Sequence, residues 1–361
     1  MRREEAKTKI DDRLKRIVDS DSRVYNAYLL IHSEKQNLYW NFAHGQTGEK
    51  PAIPEQSYHT ASIAKAFTAV IIVVLEEKGL LDYHDPIAKY LPEQMMNGLH
   101  FYKGKDYSQN ILIEHLVSCT SGLPDFYEDK PKQGKHFLDL LLDESTRVWT
   151  PQETIEWTKQ QMSPKFLPGE KCHYSNTGYN LLGLIIETIT SKPYHEVLHE
   201  YIFKPLKMNQ TYLSQYSKPA EETSYPIANV NMKSREIVVE EHQSFSSIYA
   251  GGQAVSTSED LLKFMKALVE GRLITKESLT RMKTWSKLWM GIEYGYGLMR
   301  VRMLPFTDKY NAWGHLGSIG SFMLYNPVMD TYIIGSFNAS GYVAKSIQFV
   351  FKALRVIAKI K

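Results

Sequence analysis

Ser62 and Lys65 are a pair of residues whose types and spacing could do chemistry. They stand three positions apart at the entrance of an apolar run that ends at Leu75. In a helix this spacing places the hydroxyl and the amine on one face. A lysine forced toward a core has a lowered pKa and can act as a base near neutral pH. Ser62 is therefore a candidate nucleophile with Lys65 as its proton acceptor, although Ser62 could also be a simple N-cap residue.

Two further stretches carry candidate site residues. Tyr174 and Asn176 lie two apart in a loop that leads into a predicted helix at 178–190, so in extended backbone they face the same way. A phenol near a lysine can exchange protons with a serine, and an asparagine can orient a substrate amide. Gly317 follows His315 on or beside a predicted strand and leaves room for a ligand along it.

In chain order these residues form three motifs: Ser62-x-x-Lys65, Tyr174-x-Asn176 and His315-x-Gly317. Together they resemble the signature of the penicillin-recognising serine hydrolases. Tyr-x-Asn resembles the branch with class C β-lactamases, D-alanyl-D-alanine carboxypeptidases, D-aminopeptidases and related esterases. The resemblance covers roughly residues 24–340 and includes Thr120-Ser-Gly-Leu-Pro124.

The resemblance implies a role for each residue. Ser62 would attack a carbonyl and become acylated, while Lys65 and Tyr174 would share the work of general acid and base. Asn176 would hold the substrate amide. The backbone N–H groups of Ser62 and Ser318 would form the oxyanion hole, with Gly317 beside it.

His315 departs from the class C pattern, which has lysine at this place. A histidine is only partly charged at neutral pH, so it would attract a β-lactam carboxylate less well than a lysine. We therefore expect a peptidase or esterase acting on peptide or ester substrates, with weak β-lactam hydrolysis. If His315 points into the cleft, we expect its charge to affect the choice between anionic and neutral substrates.

Hydrophobic periodicity predicts how the chain positions these residues. An amphipathic helix at 3–19 precedes a β-hairpin formed by Val24–His32 and Asn37–His44, and beta character returns after residue 296. Strands at both ends with helices between them predict an α/β (α+β) fold of the β-lactamase/transpeptidase-like kind. Residues 1–80 and 285–361 would form an antiparallel sheet lobe flanked by helices, residues 81–284 a mainly helical insertion, and the active site the cleft between them.

Composition limits the remaining classes. The net charge of +3 over 361 residues gives no reason to expect a nucleic-acid partner. No transmembrane segment or signal peptide is visible, which predicts a cytoplasmic protein unless a leader has been removed. Cys119 and Cys172 are expected to be free thiols. We expect a small-molecule or peptide substrate with a carbonyl acyl donor and no cofactor, while the oligomeric state stays open.

Three alternatives compete with this interpretation. His195-Glu-Val-Leu-His199 matches a zinc-protease pattern, with Glu196 as base and Glu221 as a possible third ligand. The chain could also be a true β-lactamase or a catalytically inactive binding protein. Four aromatic residues could line a cleft that binds apolar groups, or could equally belong to the core: Phe126, Tyr127, Tyr249 and Trp313.

Overall fold

Strands from the two ends of the chain pair to form one large antiparallel sheet, as predicted. The computed structural model describes residues 1–361. Its strands are β1 Asn26–Ser33, β2 Leu38–Thr47, β3 Lys50–Pro51, β4 Tyr58–His59, β5 Phe101–Tyr102, β6 Lys105–Asp106, β7 Tyr212–Leu213, β8 Val230–Met232, β9 Arg235–Ile237, β10 Ala254–Ser256, β11 Ser286–Trp289, β12 Ile292–Tyr294, β13 Met299–Val301, β14 Ala312–Leu316, β15 Phe322–Asn326 and β16 Thr331–Ser336. Nine of them form the main sheet in the order β11-β12-β13-β14-β15-β16-β1-β2-β3. The β1–β16 pair, with Leu30 opposite Ile334, joins the two ends of the chain.

Helices fill the middle of the chain and both termini. The α-helices are α1 Arg3–Ser20, α2 Ala64–Glu77, α3 Glu93–Met96, α4 Ile113–Val117, α5 Phe137–Asp143, α6 Pro151–Gln161, α7 Asn176–Thr190, α8 Tyr194–Leu198, α9 Ser258–Val269, α10 Lys276–Met282 and α11 Val343–Ile357. Short 3₁₀ segments occur at Ala61–Ile63, Ile87–Lys89, Ser108–Asn110, Val239–Glu241 and Gln243–Gly251, and a π-helical turn at His199–Phe203. The α/β fold with a large antiparallel sheet is thus confirmed.

Helices cover the sheet. The terminal helices α1 and α11 pack on each other, and α1 contacts β1 and β2, while α9 contacts β1, β15 and β16. Helix α9 therefore belongs structurally to the sheet although it lies within the segment 81–284. The division into a sheet lobe and an inserted helical lobe stays a prediction.

Helix α2 is the buried centre of the molecule. Every side chain from Ala64 to Val73 is buried, because the run has almost no polar face to turn toward water. Gly79, with φ +69°, ends the helix in the left-handed conformation that glycine adopts without strain. Helix α2 contacts both α7 and β14, and the 3₁₀ turn that precedes it also contacts β14, so its N-terminal end lies where helices and sheet meet.

The sequence patterns missed the β11–β12 hairpin. Strand β11 is the outer strand of the sheet, and its side chains alternate between half-buried and exposed rather than between buried and exposed. An edge strand with no fully buried face gives only a weak period-2 pattern. This hairpin carries Trp289 and Met290 to the rim of the cleft described below.

Two smaller findings bear on the chain's chemistry. Cys119 and Cys172 are unpaired, as predicted. No helix combines the length and the apolar content that crossing a bilayer requires.

Candidate active site

Lys65 is completely buried at the start of α2, and its amine has three polar neighbours. Nζ lies 2.5 Å from Asn176 Oδ1, 2.5 Å from the Gly251 carbonyl oxygen and 3.5 Å from Ser62 Oγ. Burial lowers the pKa of Lys65 to about 8, although the nearby Asp125 carboxylate opposes this shift. The amine can therefore change protonation state near neutral pH while in reach of the Ser62 hydroxyl.

A tight turn presents Ser62 at the entrance of the helix. Ala61, with φ +48°, has a left-handed backbone, and Ala61–Ile63 form a 3₁₀ turn ahead of α2. Gly317 packs against this turn: a Cβ at residue 317 would lie 2.9 Å from the Thr60 carbonyl oxygen and 3.0 Å from Ala61 Cβ. The same Cβ would lie 2.1 Å from Ser321 Oγ, so Gly317 is required by close packing against Ser321 and the 61–63 turn, and not only by space for a ligand.

Tyr174 lies beside the Lys65 amine. Lys65 Nζ is 4.7 Å from the centre of the Tyr174 ring. The Tyr174 hydroxyl is buried and has no hydrogen-bond partner, although it lies near Ser62. Burial raises the pKa of Tyr174 well above its usual value, and the Ser62 hydroxyl only partly opposes this. Tyr174 is therefore a neutral phenol at working pH.

Asn176 is held by a buried carboxylate that sequence analysis did not single out. Its Nδ2 donates to Asp125 Oδ1 at 2.9 Å and to Oδ2 at 3.0 Å, while its Oδ1 accepts from Lys65. The Asn176 side chain thus links Lys65 to Asp125, and the expectation that it also holds a substrate amide stays a prediction. Asp125 directly follows the Thr120–Pro124 stretch that carries part of the family resemblance. That position was the sequence signal that could have identified it as a site residue.

The Gly251 carbonyl reaches Lys65 from a strained segment. Tyr249 has φ +41° and ψ −113° within the 3₁₀ run, and the next carbonyl, that of Ala250, accepts from Thr68. A Cβ at residue 251 would lie 2.8 Å from Asn176 Oδ1 and 3.4 Å from Lys65 Nζ. The close approach of this backbone to the amine therefore requires glycine.

His315 does not lie on the wall of the cleft. It is completely buried in β14, and its Nδ1 lies 2.7 Å from the Leu316 carbonyl oxygen, to which the neutral imidazole donates. Burial and the Lys65 charge lower the pKa of His315 to about 3. The structure therefore does not place His315 inside the cleft, where the expectation required it, and desolvation keeps the ring neutral. An effect of His315 on substrate choice stays a prediction.

Ser318 lies on the wall of the same cleft as Ser62. No acceptor in the chain receives the Ser318 N–H, although the neighbouring Gly317 N–H donates to the Ser321 carbonyl oxygen. A free backbone donor beside a nucleophile is suited to stabilising an oxyanion.

The cleft around Ser62 has a volume of about 820 Å³ and a largely apolar wall. Of the four aromatic residues considered above, only Tyr127 lines it, while Phe126, Tyr249 and Trp313 are in the core. Other apolar lining residues are Phe245, Ile248, Trp289, Met290 and Ile347. The cleft is therefore shaped for a substrate with an apolar group.

The charges on the cleft wall are mostly negative. Asp125, Glu128 and Asp129 line it, together with His59 and His173, but no lysine or arginine does. A substrate carboxylate would therefore find no permanent cation on the wall.

The zinc pattern does not assemble a metal site. His199 Nε2 lies 3.4 Å from Ser217 Oγ, and the carboxylate of Glu221 accepts a hydrogen bond from Asn209. Nowhere in the chain do three histidine, cysteine, aspartate or glutamate side chains group so as to hold a metal ion. The third ligand that the zinc hypothesis needs is thus engaged elsewhere.

Comparison with known proteins shows the family of the chain. A family model described as Beta-lactamase matches residues 10–353. Penicillin-binding protein 4* of Bacillus subtilis (strain 168) is 30% identical over 292 residues, which cover 76% of this chain and 59% of that protein. A putative penicillin-binding protein of the same organism is 26% identical over 307 residues, which cover 85% of this chain and 64% of that protein. The chain thus spans less than two thirds of the length of these curated relatives.

Solved structures match over more of their length. A D-stereospecific amidohydrolase from Streptomyces sp. has a TM-score of 0.78 and 28% identity, covering 94% of this chain and 97% of that one. D-amino acid amidase from Ochrobactrum anthropi SV3, complexed with L-phenylalanine, has a TM-score of 0.78 and 25% identity, covering 98% of each chain. The hydrolase EstCE1, at 18% identity and a TM-score of 0.75, shows the fold alone.

Proposed function

The chain belongs to the beta-lactamase family, and from that premise we propose that it is a serine hydrolase that cleaves amide or ester bonds through an acyl-enzyme on Ser62. The observation that carries this proposal is the buried Lys65 amine, 3.5 Å from Ser62 Oγ and with a pKa of about 8. A buried amine of this pKa is a base at neutral pH, which is what a serine hydroxyl needs to become a nucleophile.

Acylation follows from this geometry. The neutral Lys65 amine takes the Ser62 proton as Oγ attacks the substrate carbonyl, and the Ser318 N–H stabilises the oxyanion together with the Ser62 N–H. Tyr174, a phenol of high pKa, donates its proton to the leaving nitrogen or oxygen and is reprotonated by the Lys65 ammonium. The proton thus moves from Ser62 to the leaving group, and the ester on Ser62 remains.

Deacylation reverses the same proton path. Water enters the position that the leaving group has vacated, and the neutral Lys65 amine takes a proton from it, directly or through Tyr174. The tetrahedral intermediate collapses, and Ser62 recovers its proton from the lysine. Asn176 acts in both half-reactions by holding the Lys65 amine in position.

We place the substrate among small amides, peptides and esters that carry an apolar group, with D-amino-acid derivatives first. The apolar cleft wall supports this, as do the names of the two amide hydrolases that share the fold. A true β-lactamase is a weaker candidate, because the wall offers no lysine or arginine to a β-lactam carboxylate.

A labelling and turnover experiment tests the proposal. A fluorophosphonate should modify Ser62, as identified by peptide mass spectrometry, and p-nitrophenyl esters should show a burst of p-nitrophenol. Ser62→Ala should abolish both. Labelling at another residue, or full turnover by Ser62→Ala, would refute the mechanism. Absence of both labelling and turnover in the wild type would favour an inactive binding protein, and loss of activity on chelation would restore the zinc hypothesis.

A further inference from the structure

The two most exposed large apolar side chains of the chain lie close to the mouth of the cleft. Phe306 is 97% exposed and Met290 is 95% exposed, while no other large apolar side chain exceeds 59%. Met290 also lines the cleft beside Trp289, which is itself 50% exposed. Single apolar side chains on a surface are ordinary, but a group of them beside a cleft indicates an interaction surface.

Three segments join into one rim that carries these side chains. The Arg302 N–H donates to the Gly291 carbonyl oxygen at 2.8 Å, which ties the loop after β13 to the tip of the β11–β12 hairpin. At its other end this loop reaches helix α11, because the ring centres of Tyr310 and Phe351 are 5.5 Å apart. Helix α11 in turn borders the cleft with Ile347, one turn before Phe351. The cleft rim, as we call this surface, consists of residues 289–291, 302–310 and 343–357.

The charges of the cleft rim are almost all positive. Its one acidic residue, Asp308, accepts a hydrogen bond from Asn311 Nδ2. Lys345 is paired with Asp21, which lies outside the rim. The basic residues of the rim are all exposed: Arg302, Lys309, Lys345, Lys352 and Arg355. The rim therefore combines protruding apolar side chains with a positive surface.

We propose that the cleft rim is the docking surface for a lipid bilayer that contains anionic lipid, with the mouth of the cleft turned toward it. Docking goes beyond the proposed function and does not rest on it. Exposed aromatic and other apolar side chains enter the boundary between headgroups and acyl chains, while lysine and arginine contact anionic headgroups.

The mixture of cations and apolar groups favours lipid over a protein partner. The Arg355 guanidinium carbon lies 5.6 Å from the centre of the Phe351 ring, and Lys309 Nζ lies 5.6 Å from the centre of the Tyr310 ring. Lysine is depleted in protein–protein interfaces, whereas a bilayer surface receives apolar groups and cations side by side.

Sedimentation with vesicles tests the proposal on the whole chain. Vesicles of phosphatidylcholine with phosphatidylglycerol should bind at least about 10-fold more tightly than vesicles of phosphatidylcholine alone, because each cation near an anionic surface strengthens binding about 5-fold. Raising the salt from about 0.1 M to about 1 M shortens the Debye length from about 10 Å to about 3 Å and should weaken binding to the anionic vesicles. Absence of binding to both vesicles, or equal binding to both, would overturn the proposal.

Surface variants locate the docking site. Phe306→Ser should weaken binding to the anionic vesicles by about 10-fold, because its ring no longer enters the bilayer. Lys352→Gln together with Arg355→Gln should weaken it by about 25-fold. Phe101→Ser is the matched control, since Phe101 is 57% exposed on the β5–β6 hairpin outside the cleft rim, and it should bind like the wild type.

All these side chains are exposed, so thermal denaturation of each variant should match that of the wild type. Full vesicle binding by Phe306→Ser, or equal losses in Phe306→Ser and Phe101→Ser, would overturn the assignment of the rim.

A second copy of the chain as the occupant of the rim predicts a different result. Sedimentation velocity would then show an oligomer that Phe306→Ser dissociates, and this outcome would overturn lipid docking. We expect instead a sedimentation coefficient that Phe306→Ser leaves unchanged. None of these readouts uses hydrolysis, so docking can fail while Ser62 labelling upholds the proposed function, and the reverse.

Discussion

Lys65 Nζ and Asn176 Oδ1 lie 2.5 Å apart, and the other end of the same amide is held by both carboxylate oxygens of Asp125. A buried carboxylate is thus linked to the Lys65 amine through an intervening asparagine. The chain of contacts fixes the orientation of the amide, since its oxygen faces a donor and its nitrogen faces acceptors. Asp125 is 1% exposed, so water cannot replace it.

Asp125→Asn should lower the activity and shift its pH dependence. The Asp125 charge raises the pKa of Lys65 against the effect of burial, so its removal should lower that pKa and move the acidic limb of kcat/KM to lower pH. The plateau should also fall by about 10-fold or more, because Asn176 loses a charged partner. The measurement is the pH profile for a neutral p-nitrophenyl ester. A fall in the plateau with an unmoved acidic limb would assign Asp125 a purely structural role.

The wild-type profile for a neutral ester should be set by Lys65. Below its pKa of about 8 the amine is protonated and cannot accept the Ser62 proton. The value of kcat/KM should therefore rise about 10-fold per pH unit up to about pH 7.5 and level off above pH 8. A profile that is flat between pH 6 and pH 9 would show that Lys65 is not the base.

His315→Asn should leave that profile unchanged. The imidazole is neutral throughout the working range because its pKa is lowered to about 3, and an asparagine amide can still donate to the Leu316 carbonyl oxygen. Parallel profiles for a neutral ester and an anionic penicillin are expected in the wild type and the variant. A change in the profile for the penicillin alone, particularly below pH 7, would show that the charge of His315 affects substrate choice.

The sequence predicted those parts of the site that are encoded by local spacing. The Ser62-x-x-Lys65 and Tyr174-x-Asn176 pairs are neighbours in sequence, and helix geometry or a single turn brings each pair together. Asp125 and Gly251 reach Lys65 from distant segments, so no period or spacing reveals them. His315 was assigned to the cleft from its motif, but every residue of β14 is buried, so strand alternation alone does not show which side chains reach the cleft.

Gly251→Ala should reduce activity without a comparable loss of stability. The added methyl would lie 2.8 Å from Asn176 Oδ1 and 3.4 Å from Lys65 Nζ, so these side chains would have to leave their present positions. We expect kcat to fall by about 100-fold, as for a displaced catalytic group. Gly178→Ala is the matched control, since its new methyl would lie 3.6 Å from Leu116 in ordinary contact. Equal losses of kcat in both variants would contradict the expectation.

Tyr174→Phe should make the protein more stable and less active. The Tyr174 hydroxyl is buried without a hydrogen-bond partner, and an unsatisfied buried polar group costs about 1–3 kcal/mol. Its removal leaves the ring and its contact with Lys65 in place, so the free energy of unfolding should rise by about 1 kcal/mol or more.

The same hydroxyl is the proposed proton donor to the leaving group, so the loss of activity should depend on that group. Anilides have a poor leaving group that must be protonated, and their kcat/KM should fall by about 10²- to 10⁴-fold. p-Nitrophenyl esters need no proton at the leaving oxygen, so their acylation should fall much less. Urea denaturation and the two substrate types measure both effects in one variant. Lower stability, or equal losses with anilide and ester, would mean that Tyr174 holds the site together rather than delivering a proton.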